Sequence, residues 1–281
     1  MVRFVITHTV VCLSVTAHGA GDLELTVLDV GQGLAIVVIS REHVLVYDVG
    51  AKFSDDFSMV TAVVQPFLLQ RGVETINTLV ISHNDNDHAG NWLSLRDQFT
   101  VDQVMMGDPL PYQQYGVLPC LAGQQWQWDG IDYAVLHPQT DTTYARSNNR
   151  SCVLKISSQQ IGFLLAGDIE QSVETLMVHN LGPQLASNVL IAPHHGSHSS
   201  SSWPWVKSVA AEYVVFSSGY RNQFSHPRPD IQQRYQQVDS NTLISHQTGA
   251  LTFTVRQGKL LIPSAYRQQR RRYWLAPVDS D

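Results

Sequence analysis

Residues 82–91 read SHNDNDHAGN, directly after the apolar run TINTLVI. A strand rich in β-formers ends there, and His83, Asp85, Asp87 and His88 follow within six positions. Imidazole nitrogens and carboxylate oxygens suit Zn²⁺, Mn²⁺ or iron. In a loop, H-x-D-x-D-H spacing points alternate side chains one way and the last two another, which can feed two neighbouring ions. Ala89, Gly90 and Asn91 then allow close backbone packing as a helix begins. The plainer alternative is a polar loop with an Asx turn, but the cluster does not stand alone. Any fold for this chain must therefore hold the loop at a strand end and bring further ligands to it.

The rest of the chain offers such ligands at other strand ends. FLLAGD delivers Asp168 after five apolar residues. An ionised, unpaired carboxylate is costly to bury, and a position between two cations would satisfy it; the plainer alternative is an N-cap for the helix that follows. NVLIAP ends in His194, His195, Gly196 and Ser197, while His198 falls in a serine-rich turn and reads as a surface residue. His226 precedes Pro227, which biases it towards extended backbone, and is a candidate ligand or transition-state donor. Asp29 and Asp48 each precede Val-Gly. The Gly31-x-Gly33 pair lacks a third glycine and a following helix, so it is no dinucleotide fingerprint. A supporting role fits both aspartates, with each carboxylate accepting backbone N–H bonds to steady the metal loop. Ser147, Asn148 and Asn149 read as turn formers or weak oxygen donors. No GxSxG elbow is present, and no cysteine adjoins a histidine in sequence.

Periodicity predicts strands at LELTV, LAIVVIS, HVLVYDV, TINTLVI, VDQVMM, IDYAVLH, CVLKISS, IGFLL, NVLI and AEYVVF. Helices are expected over 57–72, closed by Gly72, and at NWLSLRDQF, IEQSVETLMVHNL, SWPWVKSVAAE and RPDIQQRYQQV. TLISHQTGALTFTV reads as a closing hairpin turning near Gly249. Two batches of strands interleaved with helices predict two packed sheets with helices outside.

Composition adds bounds. A chain of 281 residues that is 43% hydrophobic and 15% charged is an ordinary globular protein. A net charge of −6 gives no global basic field. The local exception is YRQQRRRYW, where Arg270, Arg271 and Arg272 form either a solvated tail or a contact for phosphates. Cys12, Cys120 and Cys152 permit one bridge without establishing it. The first 22 residues carry Arg3 before a diluted apolar run, shorter than the ~20 residues that span a bilayer, and read as a weak signal-like or residual membrane segment. The folded domain is expected over 23–262, with an Arg-rich tail at 263–281.

Asp48, SHNDNDHAGN, the Gly-Asp at 167–168 and the histidines from 194 on resemble the pattern of the metallo-β-lactamase superfamily, and LDVGQG, SNNRSCVLKI, FLLAGDIE, APHHGSHSSS and SHP at 225–227 follow, in order, the signatures of one of its branches. They are most similar to the C-terminal domain of ComEC-type competence proteins, and the likeness runs from about Leu23 to Val255. The resemblance implies an α/β fold, the four-layer αββα sandwich, with two divalent ions held by His83, Asp85, Asp87, His88, Asp168, His194 and His226. Asp87, His195 and His226 are then expected at the chemistry. Asp29, Asp48 and Asn149 would support it, and Ser197, Arg270, Arg271 and Arg272 would contact substrate. It also implies a role in DNA uptake: degradation of the non-transforming strand beside a membrane channel, in a periplasmic domain associated with the inner membrane. Single-stranded DNA and the channel portion of such a protein are the expected partners.

One departure matters. Many members place histidine where Asp85 stands, and another histidine before the later aspartate, where this chain has SNNRS. More oxygen ligands make Mn²⁺ or Mg²⁺ credible beside Zn²⁺. Two alternatives stay open at this level: a metallo-hydrolase of a small ester or lactone, and a non-catalytic DNA-guiding domain with a degenerate metal site.

Overall fold

The computed structural model describes residues 19–140 and 142–269. The first 18 residues, Cys12 among them, and Arg270, Arg271 and Arg272 lie outside the described residues. The first sheet contains β1 (Leu23–Val27), β2 (Ala35–Ile39), β3 (Val44–Val49), β4 (Thr75–Ile81), β5 (Thr100–Met106) and β6 (Leu118–Pro119). The second contains β7 (Gln125–Trp128), β8 (Ile131–His137), β9 (Val153–Ser158), β10 (Ile161–Leu165), β11 (Val189–Ile191), β12 (Tyr213–Phe216) and β13 (Asn241–Ile244). The chain then returns to the first sheet as β14 (Leu251–Arg256), β15 (Lys259–Leu260) and β16 (Ser264–Ala265). The orders are β15-β14-β1-β2-β3-β4-β5-β6, with β16 also on β14, and β13-β12-β11-β10-β9-β8-β7.

Three buried apolar clusters separate four layers. Leu23, Leu25, Ile36, Val38, Leu45 and Tyr47 of the first sheet meet Phe163, Leu165, Val189, Ile191 and Val215 of the second. The opposite face of the first sheet, including Val37, Val46, Leu79 and Ile81, packs on Val64 and Leu68. The opposite face of the second, including Leu164, Leu190, Val214 and Phe216, packs on Val173, Met177, Trp205 and Ile231. Successive side chains thus enter different cores, and a strand covered on both faces reads as an unbroken apolar run. This is the expected αββα sandwich.

The helices include α1 (Gln65–Gln70), α2 (Asn86–Ala89), α3 (Leu95–Gln98), α4 (Gln171–Leu181), α5 (Trp203–Val209) and α6 (Pro229–Gln236). The helix expected over 57–72 is α1 preceded by a π-helical turn, Val60–Val64. One expectation fails. TLISHQTGALTFTV is not a hairpin, because β13 runs parallel to β12 while β14 pairs antiparallel with β1 in the other sheet. A helical turn, Ser245–Thr248, carries the chain between sheets. Two apolar runs around a glycine satisfy the sequence rule for either arrangement, and burial of both strands in separate cores decides it.

Candidate metal centre

The polar candidates converge because the strands that carry them are parallel. β3 pairs parallel with β4, and β10, β11 and β12 are mutually parallel neighbours. Their carboxyl ends therefore share a rim in each sheet, where ligand sites form in α/β proteins. β3 delivers Asp48 and β4 leads into Ser82 and His83. β10 leads to Asp168, β11 to His194 and His195, and β12 to Ser217.

His83, His88 and His195 are each aimed by the partner of Nδ1. Asp48, fully buried, accepts from the Ser82 N–H (2.6 Å), the Ser82 hydroxyl (2.7 Å) and His88 Nδ1 (2.8 Å). The Ser82 hydroxyl, having given its proton to Asp48, accepts from His83 Nδ1 at 3.0 Å. His195 Nδ1 donates to the Ser217 carbonyl at 2.8 Å. These bonds keep a proton on each Nδ1 and turn each Nε2 inward, where it can serve as a ligand once any proton it carries is displaced. Asp48, His194 and His195 hold left-handed backbone angles (φ 57°, 51° and 55°), a strain of about 1–3 kcal/mol each that persists where the surroundings over-determine it.

The Nε2 atoms meet around one carboxylate. Asp168 oxygens lie 3.2 Å from His88 Nε2, 3.4 Å from His195 Nε2, 3.8 Å from His194 Nε2 and 4.0 Å from His83 Nε2. Asp87 Oδ2 approaches His195 Nε2 at 3.3 Å. Two donor groups result, His83–His88–Asp168 and Asp87–His88–His195, in which the ligand atoms lie within 4.8 Å of one another. His83 Nε2 is buried and has no hydrogen-bond partner. A buried acceptor left bare is costly, and an ion at this point satisfies it. The donor set fits divalent metals: nitrogens and carboxylates, pre-aimed by a second layer of hydrogen bonds.

The electrostatics agree. Burial alone would lower the His195 pKa, but the Asp168 charge and the hydrogen bonds that His195 donates to Asp168 and Asp87 lift it to about 9. His88 is likewise raised, against its burial, by Asp168, Asp48 and Asp87. Asp87 resists the upward push of burial, since the charge of His88 draws it down to about 2. Burial and the neighbouring His195 and His194 charges press His226 down to about 4. The carboxylates thus create a field that collects positive charge.

Some other candidates lie beside this cluster and some do not. Asp85 Oδ2 is 3.5 Å from His83 Nε2, on the open side of the loop. The His226 ring lies 5.8 Å from that of His194 and 6.4 Å from that of His195, and its Nδ1 is buried without a partner. Asn149 accepts from the Glu170 N–H (2.9 Å) and donates to its carboxylate (3.1 Å), fixing the turn after Asp168. Asp29 pairs instead with Arg267 at 2.6 Å, joining the C-terminal segment to the β1–β2 loop rather than steadying the metal loop. The Ser197 hydroxyl faces Ser199 at 3.1 Å. His198 is exposed and pairs with Asp230. Ser82, Ser151 and Ser217, which carry no ligand pattern in the sequence, also shape the site. Ser151 donates no ligand, but its hydroxyl accepts from the Asp168 N–H at 2.9 Å. The signal available for Ser82 was its place between a buried strand and the first histidine; Ser151 and Ser217 gave none.

The model of the metallo-β-lactamase superfamily matches residues 28–212. The chain is 34% identical to "Competence protein ComA" of Neisseria gonorrhoeae over 84% of its length, covering 33% of that protein. It is 30% identical to "Recombination protein 2" of Haemophilus influenzae over 80% of its length, covering 28% of that protein. The chain thus spans about a third of the length of these relatives. Among solved structures, the metallo-β-lactamase fold protein YhfI of Bacillus subtilis aligns with a TM-score of 0.55 at 12% identity, covering 85% of this chain and 99% of YhfI. CmlA, a diiron β-hydroxylase of Streptomyces venezuelae, aligns at 0.56 and 14% identity, over 86% of this chain and 55% of CmlA. Likeness at that identity concerns the fold alone. With its family match, its sandwich and its rim of candidate ligands, the chain belongs to the metallo-β-lactamase superfamily.

Proposed function

We propose that this domain is a metal-dependent phosphodiesterase that cuts DNA, acting on a single strand during competence-related uptake. The observation that carries the reading is the Asp168 carboxylate set among four imidazole Nε2 atoms, with Asp87 beside it. His83, Asp85 and Asp168 would hold one ion, and Asp87, His88, His195 and Asp168 the other; His194 completes the shell on the Asp168 side. Mn²⁺ or Zn²⁺, with Mg²⁺ possible, would supply an activated water and neutralise charge building on the phosphoryl oxygens. His226, at the edge of the cluster with a buried nitrogen that lacks a partner, would hydrogen-bond a phosphate oxygen. Nothing in this set reads a base, so cleavage should be indifferent to sequence.

The relatives support the biological setting. Proteins called competence and recombination proteins share most of this chain and are about three times as long. A periplasmic domain beside a membrane channel fits that relation. It also fits the Cys120–Cys152 disulfide, since such bonds persist in oxidising compartments. Among the described residues no helix is long and apolar enough to cross a membrane.

The test is cleavage of labelled single- and double-stranded DNA with Mn²⁺, Mg²⁺, Zn²⁺ or EDTA. Activity should need the ion and fall roughly a thousandfold in Asp87→Ala and Asp168→Ala. Unchanged activity in both variants would overturn the site. Hydrolysis of a lactone or a small ester without DNA cleavage would move the substrate to a carbonyl compound.

A further inference from the structure

The loop that leaves β12 carries two large side chains that no metal or phosphate role uses. Tyr220 is 70% exposed and Phe224 is 52% exposed. The loop ends at His226. The Phe224 ring stacks on the His226 ring, with centroids 5.6 Å apart and planes 26° apart. His226 stacks in turn towards His195 (6.4 Å, 26°). A series of rings therefore leads from a proposed metal ligand out to solvent. Arg221 lies over the Tyr220 ring, 5.2 Å from its centroid.

The rings stand on a fixed base. Asn222 Oδ1 accepts from the His226 N–H at 2.9 Å, and its Nδ2 donates to the carbonyls of Gly219 (3.0 Å) and His226 (2.5 Å). Gly219 packs so closely on the β1–β2 loop that a Cβ there would lie 2.8 Å from the Gln32 nitrogen. Ordering this loop on binding would therefore cost little.

We infer that Tyr220 and Phe224 form a stacking platform for unpaired nucleobases, one that holds a single strand whose phosphate enters the metal centre. The inference rests on the phosphodiesterase reading for the identity of the ligand. An apolar protein surface fits the patch poorly, because Arg221, Asn222, Gln223 and Ser225 interrupt it. A base offers a π-face to each ring, and the adjoining phosphate offers an anion to Arg221. A duplex hides those faces within its own stack, so the platform favours single strands without reading their sequence.

The experiment measures binding by fluorescence anisotropy in EDTA, which stops cleavage. The probes are a labelled oligothymidylate, an abasic oligomer of equal length and charge, and a duplex. The native chain should bind oligothymidylate at least tenfold more tightly than either of the others. In the Tyr220→Ala/Phe224→Ala double variant that preference should collapse, and in Tyr220→Trp/Phe224→Trp it should remain. Trp203→Ala, which removes another exposed aromatic paired with a cation (Lys207) on α5, should leave it intact. Equal affinity of the native chain for thymidylate and abasic oligomer, or no binding of either, overturns the platform and needs no variant. Full preference in the alanine double variant overturns it too. A native chain that shows the preference yet cuts no DNA with any metal sinks the phosphodiesterase reading alone.

Discussion

His88 Nδ1 lies 2.8 Å from Asp48 Oδ2, and both side chains are completely buried. The same oxygen accepts from the Ser82 hydroxyl at 2.7 Å. One carboxylate thus sets the tautomer of His88 directly and that of His83 through Ser82. Asp48→Asn keeps the size and tolerates the left-handed backbone, but it puts an NH₂ where an acceptor is needed. Metal affinity should fall roughly 10- to 100-fold. Metal titration followed by calorimetry checks it, with circular dichroism to establish that the fold survives. An unchanged affinity would mean that Asp48 serves only the fold.

Gly33 should matter more than Gly31. A Cβ on Gly33 would lie 2.4 Å from the Asp87 carbonyl oxygen, which accepts from the Leu34 N–H at 3.1 Å. At Gly31 a Cβ meets nothing within 4 Å, and only the positive φ opposes it. Gly33→Ala should displace Asp87 and lower metal content and cleavage at least tenfold, whereas Gly31→Ala should cost about 1 kcal/mol of stability and keep its metal. Elemental analysis of the two purified variants distinguishes them.

The sandwich and its candidate ligands are legible in the sequence because both obey short-range rules. Strands covered on two faces read as apolar runs, and His83, Asp87 and His88 sit in one loop. Asp168, His194 and His195 were found because each follows such a run. What escaped depends on contacts between distant segments. Asp29 and Asp48 have the same local signature, yet one meets Arg267 and the other meets Ser82 and His88. Ser217 acts through its carbonyl, which every residue possesses. The closing strands divided between sheets because their registers answer to β12 and β1, more than 20 and 200 residues away.

Cys120 and Cys152 join the β6 end to the start of β9, with Cα atoms 5.8 Å apart across 32 residues of sequence. Closing such a loop stabilises a fold by about 2–4 kcal/mol. Cys152 also donates its N–H to the Ser82 carbonyl (2.8 Å) and accepts from the Tyr47 hydroxyl (2.6 Å), so the bridge anchors the shell behind the metal loop. The Cys120→Ala/Cys152→Ala variant should melt several degrees lower than the native chain, and dithiothreitol should lower the melting temperature of the native chain only. Equal melting temperatures with and without reductant would mean that the bridge adds no stability.

His195 makes pH a probe of the centre. Its pKa is lifted to about 9 in the folded chain, against about 6.5 for an unfolded histidine. A raised value means that the folded state binds the proton more tightly. The stabilisation is complete below about pH 6.5 and is lost as pH rises through about 9. His88, raised in the same direction, adds to it. In EDTA the melting temperature should therefore fall between pH 6.5 and 9. A metal ion must displace these protons, so its apparent affinity should rise over the same interval, by up to tenfold per pH unit for each proton released. Calorimetric titration of Mn²⁺ at pH 7 and pH 8 reads this directly: tighter binding at pH 8, with heats that vary with the ionisation enthalpy of the buffer. Affinity independent of pH and of buffer would show that His195 and His88 are not among the ligands.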